Sequence, residues 1–151
     1  MFKDIKPVEA ENATVFFADD SSVARSQIQR TLDAMKVPYN GAVNGRQAWD
    51  ELDRVANYAI SHGRNVRDSV ALVLTDVEMP EMDGYILTKK IKTDPRFAGV
   101  PVIMHSSLSG MSNQHLGRSV GVDEYVAKFE PHRLAETLAR MLRRNPDKAA
   151  A

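Results

Sequence analysis

The 151-residue sequence contains no cysteine, which excludes a disulfide scaffold, a thiolate metal site and thiol catalysis. No apolar run reaches the 18 residues that a membrane-spanning helix needs. The opening MFKDIKPVEAENA lacks the apolar centre of a signal peptide, so the default expectation is a cytoplasmic location. Charge of one sign is missing as well. Lys plus Arg and Asp plus Glu both total 20, so bulk charge gives no reason to expect nucleic acid or an anionic membrane as a partner. His62, His115 and His132 are scattered without metal-ligand spacing and read as surface residues.

What is present suits one soluble globular domain with a single substantial core: 43% hydrophobic and 26% charged residues. Its centre is Val70–Gly84, VALVLTDVEMPEMDG. The unbroken apolar run Val70–Leu74 suits a strand buried on both faces of a parallel sheet. Asp76 follows where that strand leaves the core, Met79-Pro80 stops regular structure, and Asp83-Gly84 turns the chain into a helix. Open α/β sheets place their ligands at the carboxyl ends of such strands. Taken alone, Asp76 reads as a simple capping acid.

Around this stretch strands and helices alternate. Residues 1–13 read as a tail or linker remnant, 14–145 as the domain, and 146–151 as a C-terminal tail. Thr14–Ala18 (TVFFA) is the first strand, ending on Asp19-Asp20, and Ser21 or Ser22 can cap the next helix. That helix turns Val23, Ile28, Leu32 and Met35 inward. Tyr39–Val43 is a weaker strand. Gln47–Ser61 is a helix with Ala48, Leu52, Val55, Ala56 and Ala59 or Ile60 inward. His62–Ser69 reads as a polar, mobile connection. Tyr85–Thr93 forms a helix with Ile86, Leu87 and Ile91 available to the core, and Val100–His105 a fourth strand. Met111–Val120 is a short, poorly apolar helix, Glu124–Ala127 the fifth strand, and a final amphipathic helix starts at Pro131. Five alternations predict an α/β doubly wound parallel sheet. Trp49, Tyr58, Met79 and Met82 read as packing residues. Lys89-Lys90 and Arg143-Arg144 read as solvated faces.

Functional groups fall at the carboxyl ends of four strands: Asp19-Asp20, Asp76, Ser106 and Lys128. In a parallel sheet these ends share one edge. If the first and third strands are neighbours, three carboxylates meet there and repel unless a hard divalent cation, Mg²⁺ above all, is bound. Ser106 and Lys128 are then placed to hold a tetrahedral anion. Such a set suits phosphoryl transfer to a carboxylate nucleophile. His105 should alternate away from Ser106, so a structural role is expected for it in place of a dyad.

The ordered set FFADD, LTDVEMPEMDG, VIMHSS and EYVAKF resembles two-component response-regulator receiver domains, over roughly Ala13 to Asn145. The resemblance implies a flavodoxin-like five-stranded sheet of order 2-1-3-4-5 and an Asp76 that accepts phosphate from a histidine kinase. It implies Mg²⁺ held by Asp20, Asp76 and the backbone carbonyl of Glu78, with Asp19 nearby. Ser106 would be the switch hydroxyl, Tyr125 the switch aromatic and Lys128 the phosphate-binding lysine. Such a domain is a regulatory phosphoacceptor and not an enzyme in the usual sense. EMDGYILTKKIKTDPRFAGVPVIMHSSLS and GVDEYVAKFEP further resemble the receiver half of CheV-type chemotaxis coupling proteins, which implies a kinase of the CheA type. It also implies an N-terminal coupling domain that these residues do not include. The chain is then an excised domain or a free-standing relative, the linker-like opening favouring excision.

Two departures stand out. Phe129 follows the lysine where the family commonly has a proline in a cis peptide, so this bond is either trans or a costly cis bond. Glu78 adds a fourth acid. Two other readings stay open: a degenerate receiver acting as a phosphorylation-independent interaction module, and an aspartate-nucleophile phosphatase using Glu78. The Asp19-Asp20 pair and the chain length speak against the second.

Overall fold

The computed structural model describes residues 2–8, 13–107 and 118–143. Its strands are β1 (Val15–Ala18), β2 (Tyr39–Ala42), β3 (Leu72–Thr75), β4 (Val102–Ser106) and β5 (Glu124–Ala127). All pair in parallel, in the order β2-β1-β3-β4-β5. This is the doubly wound arrangement expected. The helices that lie wholly within the described residues are α1 (Ser22–Met35), α2 (Gly45–Ser61), the single turn α3 (Val66–Ser69), α4 (Gly84–Thr93) and α5 (Pro131–Arg143), with a 3-10 turn at Pro95–Phe97.

Strands of four or five residues suffice because both faces are covered. Side chains alternate along each strand, so Val15 and Phe17 pack with Ile28, Leu32, Leu134 and Leu138, while Phe16 and Ala18 pack with Leu52, Ala56, Leu87 and Ile91. Helices α1 and α5 therefore cover one face, α2 and α4 the other. Each fully buried Leu or Phe contributes about 2 kcal/mol.

Helix starts are set by caps, and these decide which residues face inward. Ser21 is the cap of α1, its side chain accepting from Ala24 N at 3.2 Å. Asn44, Asn65 and Asp83 cap α2, α3 and α4 in the same way. With α1 so phased, its inward row is Ala24, Ile28, Thr31, Leu32 and Met35, and Val23 is exposed, contrary to expectation. The cap at Asp83 likewise turns Ile86 outward while Leu87, Thr88 and Ile91 are buried. On α2 it is Ala59, not Ile60, that is buried. The connection after α2 is more ordered than its polarity suggests: Arg64 N donates to Ala59 O at 2.8 Å, and α3 buries Val66.

The segment 2–8, read from the sequence as a tail, lies against the core. Phe2 sits under the Arg30 guanidinium, Ile5 is buried with the α1 and α5 side chains, and Val8 N donates to Met35 O at 2.9 Å. Three apolar residues spaced by three serve one side of a stretch too short to show a regular period. Most of the helix expected over Met111–Val120, and the tail beyond Asn145, fall outside the described residues. Among those residues no helix is long and apolar enough to cross a membrane.

Because Ile5 is buried, Ile5→Ala should lower the free energy of urea unfolding by about 1–2 kcal/mol. A loss below about 0.5 kcal/mol would show that the segment is not part of the cooperative unit.

Candidate functional site

Parallel pairing brings the sequence-predicted groups to one edge. Past the last ladder residues the backbone stays bonded: Asp19 N donates to Ala42 O at 3.2 Å, Asp76 N to Ala18 O at 2.8 Å, and Lys128 N to Ser106 O at 2.9 Å. Each functional residue thus stands one step beyond a strand and beside its neighbour. Carboxylate oxygens of Asp19, Asp20 and Asp76 lie within 4.8 Å of one another. Lys128 Nζ is 2.9 Å from Asp19 Oδ2 and 3.3 Å from Asp76 Oδ1. Asp19 is fully buried, Asp76 nearly so, and Asp20 exposed.

Local bonds aim these side chains. Asp19 Oδ1 accepts from Ser21 N at 2.9 Å, Arg25 donates to the Asp19 carbonyl at 2.8 Å, and Asp76 Oδ1 accepts from Val77 N at 2.8 Å. Three carboxylates share one ammonium, with Asp19 and Asp76 closed to water and Asp20 at the exposed side. Burial first, and then Asp19, push the Asp76 carboxyl up to about 7, although Lys128 and the Val77 N–H pull it down. For Lys128 burial works against the charged form, but Asp19 and Asp76 outweigh it and the net shift is upward.

The donor set suits a hard divalent cation: all the candidate ligands are oxygens, and they carry more charge than Lys128 balances. Asp19 Oδ2, although close to Lys128, is buried with no hydrogen bond of regular geometry. Such an oxygen fits a place beside a cation.

The remaining predicted residues fall as follows. Ser106 is the buried last residue of β4 and pairs with Ala127; Tyr125, two residues before Ala127, pairs with Met104 and lies on the same face as Ser106. Tyr125 is half-buried and close enough to Tyr85 to help raise that phenol's pKa, after burial. The Glu78 side chain is exposed and takes no part in the acidic cluster. His105 is buried, with its pKa lowered to about 3 by burial and secondarily by Lys128, so it is neutral. Among the described residues no peptide bond is cis, so Lys128–Phe129 is trans, and Phe129 adopts φ 66°.

Two glycines matter in a way the sequence reading missed. A Cβ on Gly84 would lie 2.0 Å from Asp76 O, and one on Gly45 would lie 2.0 Å from Met82 O. Gly84 N also donates to Val77 O at 2.7 Å. The loop after Asp76 is therefore pinned by close backbone approach at both helix starts. Asp83-Gly84 signalled a turn in the sequence, but the contact needs the fold to be seen.

Comparisons with known proteins agree with this geometry. The model of the response regulator receiver domain family matches residues 15–139. The chain is 31% identical over 131 residues to the chemotaxis protein CheV3 of Helicobacter pylori, covering 87% of this chain and 41% of that protein. It is 34% identical over 131 residues to the chemotaxis protein CheY1 of the same species, covering 84% of this chain and 94% of the relative. The chain thus spans only about two-fifths of the CheV relatives it matches. Among solved structures, the chemotaxis response regulator CheY4 of Vibrio cholerae superposes with a TM-score of 0.69 at 24% identity, covering 85% of this chain and 98% of that one.

The raised Asp76 pKa gives a signed pH dependence. Between about pH 4 and pH 7 the native carboxyl holds a proton that the unfolded chain has lost, so metal-free stability should fall as pH rises through that window. Asp76→Asn should flatten the fall and stabilise the metal-free protein at pH 8 by roughly 1–3 kcal/mol, with little gain at pH 4. Thermal melts in chelator across this range check it. Gly84→Ala should cost about 1–3 kcal/mol in the same melts, through its clash with the Asp76 carbonyl.

Proposed function

We propose, from the premise that this chain belongs to the response regulator receiver domain family, that it is a phosphoacceptor switch of a chemotaxis pathway. In this reading residues 14–145 form the receiver unit and Asp76 takes a phosphoryl group from a histidine kinase of the CheA type. A coupling domain of the CheV type would precede the unit in the longer protein. The observation that carries the reading is the Lys128 ammonium lying between two buried carboxylates, 2.9 Å from Asp19 and 3.3 Å from Asp76, at the mouth of the sheet edge.

Asp19, Asp20 and Asp76, with the backbone carbonyl of Glu78, would hold Mg²⁺. The ion would supply the positive charge that keeps Asp76 ionised and neutralises incoming phosphoryl oxygens. An Asp76 oxygen forms the new P–O bond while the P–N bond of the donor phosphohistidine breaks, and the electron pair leaves on the imidazole nitrogen. Lys128, already beside Asp76, directs its N–H groups to a phosphoryl oxygen. The Ser106 hydroxyl donates to another, and Tyr125, on the same face of the sheet, moves into the space that Ser106 vacates. The neutral His105 adds no charge of its own.

Acetyl phosphate should label Asp76 alone, and only with Mg²⁺ present; undiminished label on Asp76→Asn in intact-mass spectra would overturn the assignment. Lys128→Ala should still bind Mg²⁺ by calorimetry but lose roughly 1.5–3 kcal/mol of phosphoryl-dependent stabilisation. An unchanged phosphoryl response in that variant would remove Lys128 from the mechanism.

A further inference from the structure

Among the described residues two buried side-chain polar atoms lack a hydrogen bond, Asp19 Oδ2 and His105 Nδ1. The first lies 2.9 Å from Lys128 Nζ. The second belongs to the same lysine's surroundings. His105 pairs with Val126 in the ladder between β4 and β5, and Lys128 stands two residues beyond Val126. Alternation therefore puts His105 and Lys128 on one face of the sheet, the face that Ile103 and Val126 present to α1 and α5. Ser106, the next residue along β4, takes the opposite face. Among the described residues Lys128 is also the one charged group that bears on the imidazole, adding to burial in lowering its pKa.

An unpaired nitrogen in this place has a cost. A buried acceptor without a donor destabilises the fold, whereas a leucine of similar bulk would not. The row itself gives the ring no polar partner, since Ile103 and Val126 are apolar and buried. What a neutral imidazole can do here, and a further acid could not, is accept an N–H from an ammonium without adding negative charge. With the ring proton on Nε2, Nδ1 is that acceptor. Lys128 has three N–H donors, and in the empty site its ammonium is drawn to Asp19 and Asp76.

We infer that His105 is a positioning residue for Lys128: its Nδ1 accepts one N–H of the ammonium once a divalent cation is held by the carboxylates, which keeps the other N–H groups turned toward the phosphoryl group on Asp76. The inference rests on the phosphoacceptor reading. A cation on Asp19 and Asp76 cancels the attraction that holds Lys128 in the empty site and repels it as a like charge. A lysine released in this way is a point charge on a flexible four-carbon stem. A neutral acceptor on its own face, closed to water, limits where that charge can go. The two unpaired atoms then belong to two states of one lysine. Asp19 Oδ2 stands beside it in the empty site, and His105 Nδ1 receives it in the loaded one.

The test uses His105→Leu, which keeps the apolar bulk and removes the acceptor, and His105→Asn, whose amide oxygen can stand where Nδ1 stands. With saturating Mg²⁺, His105→Leu should slow labelling of Asp76 by acetyl phosphate about tenfold or more, and His105→Asn by no more than about threefold. In chelator His105→Leu should melt at the same temperature as the unmodified protein or higher, because it buries no unpaired nitrogen. Placed on Lys128→Ala, the Leu substitution should change labelling by less than about twofold, since the group it positions is gone. NMR of the imidazole nitrogens reads the contact without a change at His105: the Nδ1 resonance should move upfield when Mg²⁺ is added, and stay in place in Lys128→Ala. The inference is overturned by unslowed labelling of His105→Leu, by equal slowing with Leu and Asn, or by a Leu effect undiminished on Lys128→Ala. An Nδ1 resonance that ignores Mg²⁺ would overturn it as well, and so would a lower melting temperature of His105→Leu in chelator, which would make the ring a packing requirement of the empty fold. Failure of acetyl phosphate to label the unmodified protein would instead remove the phosphoacceptor reading beneath it.

Discussion

Lys128 Nζ lies 2.9 Å from Asp19 and 3.3 Å from Asp76, and the whole functional edge depends on that sharing of one ammonium between two carboxylates. Removing water from Asp19 and Asp76 is costly, and a single lysine compensates only part of the cost. The imbalance has two faces. It leaves the metal-free fold carrying a carboxyl with a pKa of about 7, and it leaves a deficit of positive charge that a divalent cation would fill. A cation bound there would recover stability that the empty site gives up.

Backbone bonds make this arrangement possible. The sheet extends its pairing one step beyond each strand, through Asp19, Asp76 and Lys128, so groups far apart in the chain are set side by side without long side-chain reach. The loop after Asp76 is then fixed from outside, by the bare backbones of Gly84 and Gly45. A site so confined has little freedom to absorb a new charge by local relaxation. A charge added there would be accommodated by movement of neighbouring elements.

Much of this was legible in the sequence. Acids and a lysine ending apolar runs announced a shared edge, and the ordered motifs announced the family, which the family match bears out. Helix phase was less legible. Val23 and Ile86 each continue an apolar row in the sequence, but caps at Ser21 and Asp83 rotate both outward. Val23 and Ile86 are thus apolar residues that the core does not use. Close approach of Gly84 to a carbonyl depends on tertiary structure, and no local signal distinguishes it from a turn. The packing of Phe2, Ile5 and Val8 was invisible for a different reason: nothing in a short irregular segment says which surface lies beneath it.

The alternation of side chains has a consequence for how a signal could be divided in space. Leu74, Phe17 and Val126 belong to the layer under α1 and α5, and Asp76, Asp19 and Lys128 continue those rows by two residues. Ser106 and Tyr125 lie on the opposite rows of β4 and β5. The charged groups and the hydroxyl–phenol pair therefore leave the sheet from opposite faces and can meet only over its carboxyl edge. A substitution that reshapes the Ser106–Tyr125 side can therefore leave the packing of the rows that lead to the lysine and acids untouched.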